Sequence, residues 1–312
     1  GAAAVRSARG PLRTVRSRRT WAVGLVVLAA LVGFSLLLPT TRGQRSAPFR
    51  VAGGGGAFAT LSEAVAAAAD GATIEIDGNG PYRVRSVDLG DKRMVIRAAP
   101  GSTPVLMGND SQAASAPLLH GSGALRLEGL EIRWSMTDRG LESFRGFVGQ
   151  AAVAITGGEL TLKNCRIVAG PTTSCVGSVG GSVHATGVHF IADAGPCMAW
   201  RPGGGVALTA EHCVWESPRM AILLVADAEP TDATCKLTLR RNTVATTRLL
   251  FFTLQETGLK FDVVSRQNAY DVDGLLFATP GDGYDRTMRL ADVLRTIRAM
   301  FSWEERDNGY RT

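Results

Sequence analysis

The stretch FATLSEAVAAAADGATIEI, residues 58–76, contains a helix start, a helix stop and a strand. Thr60-Leu61-Ser62-Glu63 is a capping box: the Thr60 hydroxyl can accept the Glu63 amide, and the Glu63 carboxylate can accept the Thr60 amide. Leu61, Ala64, Val65 and Ala68 then recur on one helical face. Asp70-Gly71 stops the helix, with Gly71 free to take a left-handed conformation. Thr73-Ile74-Glu75-Ile76 follows at once and alternates as a strand does. Upstream, Gly53-Gly54-Gly55-Gly56 reads as a corner and not a phosphate loop, since no Gly-Lys-Ser/Thr follows.

Downstream, a three-point pattern recurs: an apolar residue, another three positions on, and another five on. Leu127, Leu130 and Ile132 fit it, as do Leu162, Cys165 and Ile167; Ala185, Val188 and Phe190; and Ala210, Cys213 and Trp215. Leu239, Asn242 and Val244 fit less well, and Val264, Gln267 and Ala269 poorly. The spacings between first positions are 35, 23, 25, 29 and 25 residues, the range of stacked solenoid repeats. Glycines precede most units (Gly121 and Gly123, Gly157-Gly158, Gly180-Gly181, Gly203-Gly204-Gly205) and suit tight corners. No unit can bury its own apolar face, so stacking must supply the core. Ile74/Ile76 and Met94/Ile96 read as earlier rungs, and the long first spacing predicts an excursion over residues 136–150.

A short helix feeding a strand covers the open end of such a stack, which otherwise exposes apolar layers and unpaired strand edges. Phe58, Thr60, Glu63-Ala64-Val65, Asp70-Gly71 and Thr73-Ile74-Glu75-Ile76 resemble the N-terminal cap of the pectin-lyase-like right-handed parallel β-helix superfamily. The expected fold is all-β: a right-handed parallel β-helix over residues 51–284. Residues 285–301 should form a helix, with Leu290, Val293, Leu294, Ile297, Met300 and Phe301 on one face, capping the far end; residues 303–312 read as a polar tail, so 285–312 is expected as capping helix and tail.

Residues 21–38, WAVGLVVLAALVGFSLLL, are apolar and nearly long enough to span a ~30 Å hydrocarbon core. Six arginines precede the run (Arg6, Arg9, Arg13, Arg16, Arg18, Arg19) and Arg42, Arg45 and Arg50 follow it. The longer basic flank is expected on the cytoplasmic side. This divides the front of the chain into a basic cytoplasmic tail (1–20), a transmembrane helix (21–39) in contact with membrane lipid, and a linker (40–50), with the β-helix extracytoplasmic. The chain starts at Gly1, which is expected of a processed product or a piece of something longer. The architecture also resembles the outer part of bacterial receptor-type serine/threonine kinases, although no kinase motif lies in this chain.

The net charge of +6 belongs to the tail. Residues 1–50 hold nine of the 34 basic side chains and none of the 28 acidic ones, so the other 262 residues carry 25 basic and 28 acidic, or −3. A nucleic-acid-binding face is therefore not expected.

The superfamily resemblance implies lyases and hydrolases of acidic polysaccharides, which need carboxylates stacked over adjacent coils. The outward columns are mixed: Glu128, Lys163, Thr186, Glu211, Arg240; Glu131, Arg166, His189, Val214; Arg126, Thr161, His184, Thr209, Thr238. The remaining acids (Asp110; Asp138 and Glu142; Asp227, Glu229 and Asp232; Asp271 and Asp273) read as turn residues. His184 and His189, five apart on one strand, are expected to point to opposite faces. No metal, cofactor or catalytic residue is assigned. Cys175 and Cys197 fall at near-equivalent sites of adjacent coils and are the expected disulfide, whereas Cys165 and Cys213 read as buried. Trp200 and Arg201, on the loop 196–201 beside the loop 171–175, are the candidate ligand contacts, an exposed ring and guanidinium; the alternative is that Trp200 packs over a coil corner. The expected function is non-catalytic recognition of a glycan or protein ligand; the alternative is a membrane-tethered polysaccharide lyase or glycoside hydrolase.

Overall fold

A computed structural model describes residues 47–108, 116–135, 149–225, 233–254, 259–280 and 290–311. The expected transmembrane segment 21–39, most of the excursion (136–148), and the acids Asp110, Asp138, Glu142, Asp227, Glu229 and Asp232 lie outside the described residues. Among the described residues no helix is long and apolar enough to cross a membrane.

The described residues from Ala47 onward form a parallel β-solenoid of about seven turns. Its first face stacks strands from Thr73–Ile76 through Met94–Ala98, Leu125–Glu128 and Glu159–Lys163 to Phe301–Arg306, each in parallel register with the next. The second face includes Val105–Gly108, Glu131–Trp134, Arg166–Ala169 and His189–Ala192, and the third includes Ser174–Val179 and Pro196–Arg201. In later coils Val214–Leu224 and Thr243–Leu254 run from the second face into the third without a break.

The cap forms as its residues dictate. Thr60 caps the helix Leu61–Ala67, with both capping-box bonds present at 3.1 and 3.2 Å, and Leu61, Ala64 and Val65 are buried. Gly71 has a φ of 78°. Phe49–Val51 pairs antiparallel with Thr73–Ile76 and so occupies the free edge of the first coil.

From the coil of Leu125–Glu128 onward, each turn between the first and second faces is made on one residue of positive φ: Gly129, Asn164, Gly187, His212, Arg241, Gln267 and Asp307. The expected inward triplets surround this turn and are buried through Leu239, Asn242 and Val244. The next unit is displaced by one residue. Leu239 pairs with Ser265, not Val264, so the inward triplet is Ser265, Asn268 and Tyr270. Apolar matching chose Val264 because all three true positions carry polar groups satisfied by one another: Ser265 and Tyr270 hydroxyls lie 2.7 Å apart, and Asn268 Nδ2 donates to Ser265 Oγ at 3.1 Å. The glycine corners are close approaches: a Cβ on Gly181 would meet the Gly157 carbonyl at 2.3 Å.

The C-terminal helix spans Leu290–Met300 and packs Val293, Ile297 and Met300 on the core. It precedes a further coil instead of ending the stack. Phe301–Arg306 pairs with Lys260–Arg266, Phe301 stacks on Phe261 at 5.1 Å, and Gly309–Tyr310 continues the second face. Residues expected as a polar tail therefore form strands, because Phe301 and Trp303 reach the core and Asn308 joins the buried amide network.

Cys175 and Cys197 are not a disulfide: all five cysteines are free and buried. The pair lies one step before the Val176–Met198 register pair, on adjacent parallel strands. Strand spacing of ~4.8 Å falls within the Cα separation a disulfide allows, so the direction of the thiols decides the outcome. Each thiol donates instead to a carbonyl, Cys175 to Ile191 at 3.2 Å and Cys197 to Glu216 at 3.3 Å.

Candidate ligand-binding site

Trp200 does not present a ring to solvent. It lies on a third-face strand, is 0% exposed, meets Phe261 edge-on at 6.4 Å and donates its indole N–H to Gly181 O at 3.2 Å. The residues expected as loops around it are largely strands whose side chains are buried. Arg201 beside it is half-buried. A ring without accessible surface offers nothing for a sugar to stack on, so the expected ligand contact at Trp200 is corrected to a core contact.

The first face is an ion-paired surface. Its columns align as the repeat register requires: Glu128, Lys163, Thr186, Glu211 and Arg240 are successive partners. Arg97 pairs with Glu75 at 2.6 Å, Arg126 with Glu128 at 2.5 Å, and Arg266 with Glu304 at 2.7 Å. The Arg266 guanidinium holds the Glu304 carboxyl below the usual carboxylate range. Among the described residues no three His, Cys, Asp or Glu side chains are placed to hold a metal ion. His184 lies on the first face and His189 on the second, separated by the Gly187 turn; His189 Nε2 sits 3.0 Å from Glu216 Oε1.

The outer side of the second face carries two depressions. Each strand there begins just after the positive-φ turn. In three coils that turn residue is small (Gly129, Asn164, Gly187), and this leaves a polar trench of about 430 Å³. Asn79, Thr103, Glu131, Asn164 and Arg166 supply its donors and acceptors. Cys165 also lines it, but burial pushes that thiol up to about 11, and its sulfur points at the Leu127 and Lys163 carbonyls at 3.4 Å. It is no nucleophile at neutral pH.

Two residues along the same strands, a second outward column runs Met107, Arg133, Val168, Ile191 in register. Its apolar members floor a cleft of about 510 Å³, walled by Trp134 and Pro171 and rimmed by Arg133 and Asp193. A Cβ on Gly108 would lie 1.9 Å from the Trp134 ring, so the glycine seats the indole against the neighbouring coil. Between trench and cleft stands a charged ridge: Glu131 accepts from Arg133 Nε at 2.5 Å and from Arg166 Nη1 at 2.8 Å. The whole surface can offer hydrogen bonds on one side, positive charge in the middle and an apolar floor on the other.

Reading by column found Glu131, Arg166 and His189 and missed Val168 and Ile191. Their signal is an apolar residue at an outward position, in Arg166-Ile167-Val168-Ala169 and His189-Phe190-Ile191-Ala192.

In comparisons with known proteins, the chain matches no family model, no curated protein and no solved structure.

Proposed function

We propose that this chain is a membrane-anchored, extracytoplasmic recognition module that binds a glycan or protein ligand on the outer side of its second face, without chemistry. The observation that carries the reading is the trench, ridge and cleft lying side by side on one sheet surface. Sites of mixed apolar floor and few polar groups are where ligands bind. The anchor is residues 21–39, with the basic residues 1–20 in the cytoplasm, as the arginine asymmetry favours. The finer fold is a right-handed, pectin-lyase-like β-helix; the recurring positive-φ turn and the cap favour it, as does the strong bias of parallel crossovers to the right hand. Placement as the outer part of a receptor-type kinase belongs to the same reading.

The test is a glycan array, a protein pull-down and a turnover assay on acidic polysaccharides with and without calcium, all on the full chain. Binding without turnover is expected, lost in Arg166→Ala and Ile191→Lys and kept in Asp262→Ala on the first face. Turnover would overturn the reading in favour of a tethered lyase or hydrolase, and so would binding indifferent to the second-face variants.

A further inference from the structure

On the premise that the second face is a binding surface, we propose that its apolar cleft takes a short, flat, apolar carboxylate, with the anion against Arg133 and the body over Val168 and Ile191.

The floor carries the first part of the argument. Arg83, Met107, Arg133, Val168, Ile191 and Glu216 are consecutive register partners on the outward side. Only two adjacent members, Val168 and Ile191, are branched and apolar, and the largely buried Trp134 also lines the cleft. An outward sheet position beside water ordinarily carries a polar side chain. Two branched apolar residues there, in a walled depression, favour an apolar occupant.

The charges set its polar end. Arg133 and Arg166 both donate to the one carboxylate of Glu131, so two guanidinium groups share a single negative charge and the ridge keeps a positive surplus. Arg133 uses Nε for that bond, which leaves its Nη groups for the two oxygens of a ligand carboxylate, the fork geometry that favours arginine over lysine.

The length follows from the opposite rim. Asp193 closes the strand two coils beyond Arg133, or ~10 Å at the usual strand spacing. Its carboxylate repels a second anion and orients the first toward Arg133. Glu216, next in the column after Ile191, is engaged with His189. The space between Arg133 and these acids suits a body of two linked rings.

The probe pair is biphenyl-4-carboxylate and its neutral carboxamide, titrated calorimetrically into the full chain in nanodiscs, with protein-free nanodiscs as the blank. One saturable site is expected, with the carboxylate at least fivefold tighter. Arg133→Gln, a change at an exposed side chain, should erase that difference. Val168→Thr with Ile191→Thr, which keeps both positions β-branched on an outward face, should weaken both probes at least fivefold without lowering the melting temperature by more than a few degrees. Absence of saturation, equal affinity of the two probes for the native chain, or insensitivity to Arg133→Gln overturns the assignment. If a ligand from the array still binds and is still lost in Arg166→Ala, only the carboxylate is overturned; if that ligand also survives Arg166→Ala, the reading of the face falls with it.

Discussion

At the scale of single residues, spacing and conformation do most of the deciding. Gly108 stands opposite Trp134 in the coil stack, and a single methyl there would overlap the indole. Overpacking of this kind typically costs ~1–3 kcal/mol, and because the contact is so close Gly108→Ala is expected near the top of that range, read as a lower denaturation midpoint with an unchanged slope. The thiols give a second expectation. Burial pushes Cys165 and Cys213 up to about 11 and Cys197 well above the ordinary value. A raised thiol pKa leaves the unreactive protonated form across neutral pH. The folded protein should therefore resist a disulfide-exchange reagent at pH 8, all five cysteines should label after unfolding, and reducing agent should leave the melting temperature unchanged. A shift of several degrees on reduction would reveal a bond.

At the scale of elements, the coil is the unit, and its interior changes character along the stack. The position after the positive-φ turn holds Leu130, Cys165, Val188 and Cys213, then Asn242, Asn268 and Asn308. The asparagines form a ladder. Asn242 Oδ1 accepts the Cys213 amide at 2.9 Å, Asn268 Oδ1 accepts the Asn242 amide at 2.8 Å, and Asn308 Oδ1 accepts the Asn268 amide at 2.9 Å. Each rung satisfies a buried backbone group in the neighbouring coil. Asn268→Ala should orphan the Asn242 amide and its side-chain partner, at about 1–3 kcal/mol for each buried group left unsatisfied, measured by chemical denaturation. Asn268→Asp, which keeps the acceptor and adds a buried charge, should be at least as damaging. A cost below 1 kcal/mol for both would show the ladder to be ornamental. The ladder also explains why the element pattern faded in sequence: the later coils keep the register and exchange apolar matching for amide matching.

At the scale of the whole molecule, the basic and apolar start of the chain sets an expectation separate from the solenoid. The full chain should sediment with membranes and resist alkaline carbonate, while a version lacking residues 21–39 should be released. Recovery of the full chain in the carbonate supernatant would remove the anchor from the proposal.

The cap, the coil origin and the charged columns were legible in the sequence because each depends on contacts a few residues apart or on strict alternation. Thr60 and Glu63 find each other within one helical turn, and Glu128, Lys163 and Glu211 align once a turn residue recurs. Other features waited on the stack. Trp200 is polar at one edge and sits near an arginine, so locally it looks like a surface residue; only the neighbouring coils bury it. The true register at Ser265, the last coil after the C-terminal helix, and the apolar cleft at Val168 and Ile191 likewise depend on partners some 20 to 40 residues distant in the chain. Local pattern determined that this chain would coil and where the turns through Leu239 begin, because those are matters of backbone conformation and period. Which side chains face water was left to the tertiary structure, because in a solenoid the coil above and the coil below decide what is covered.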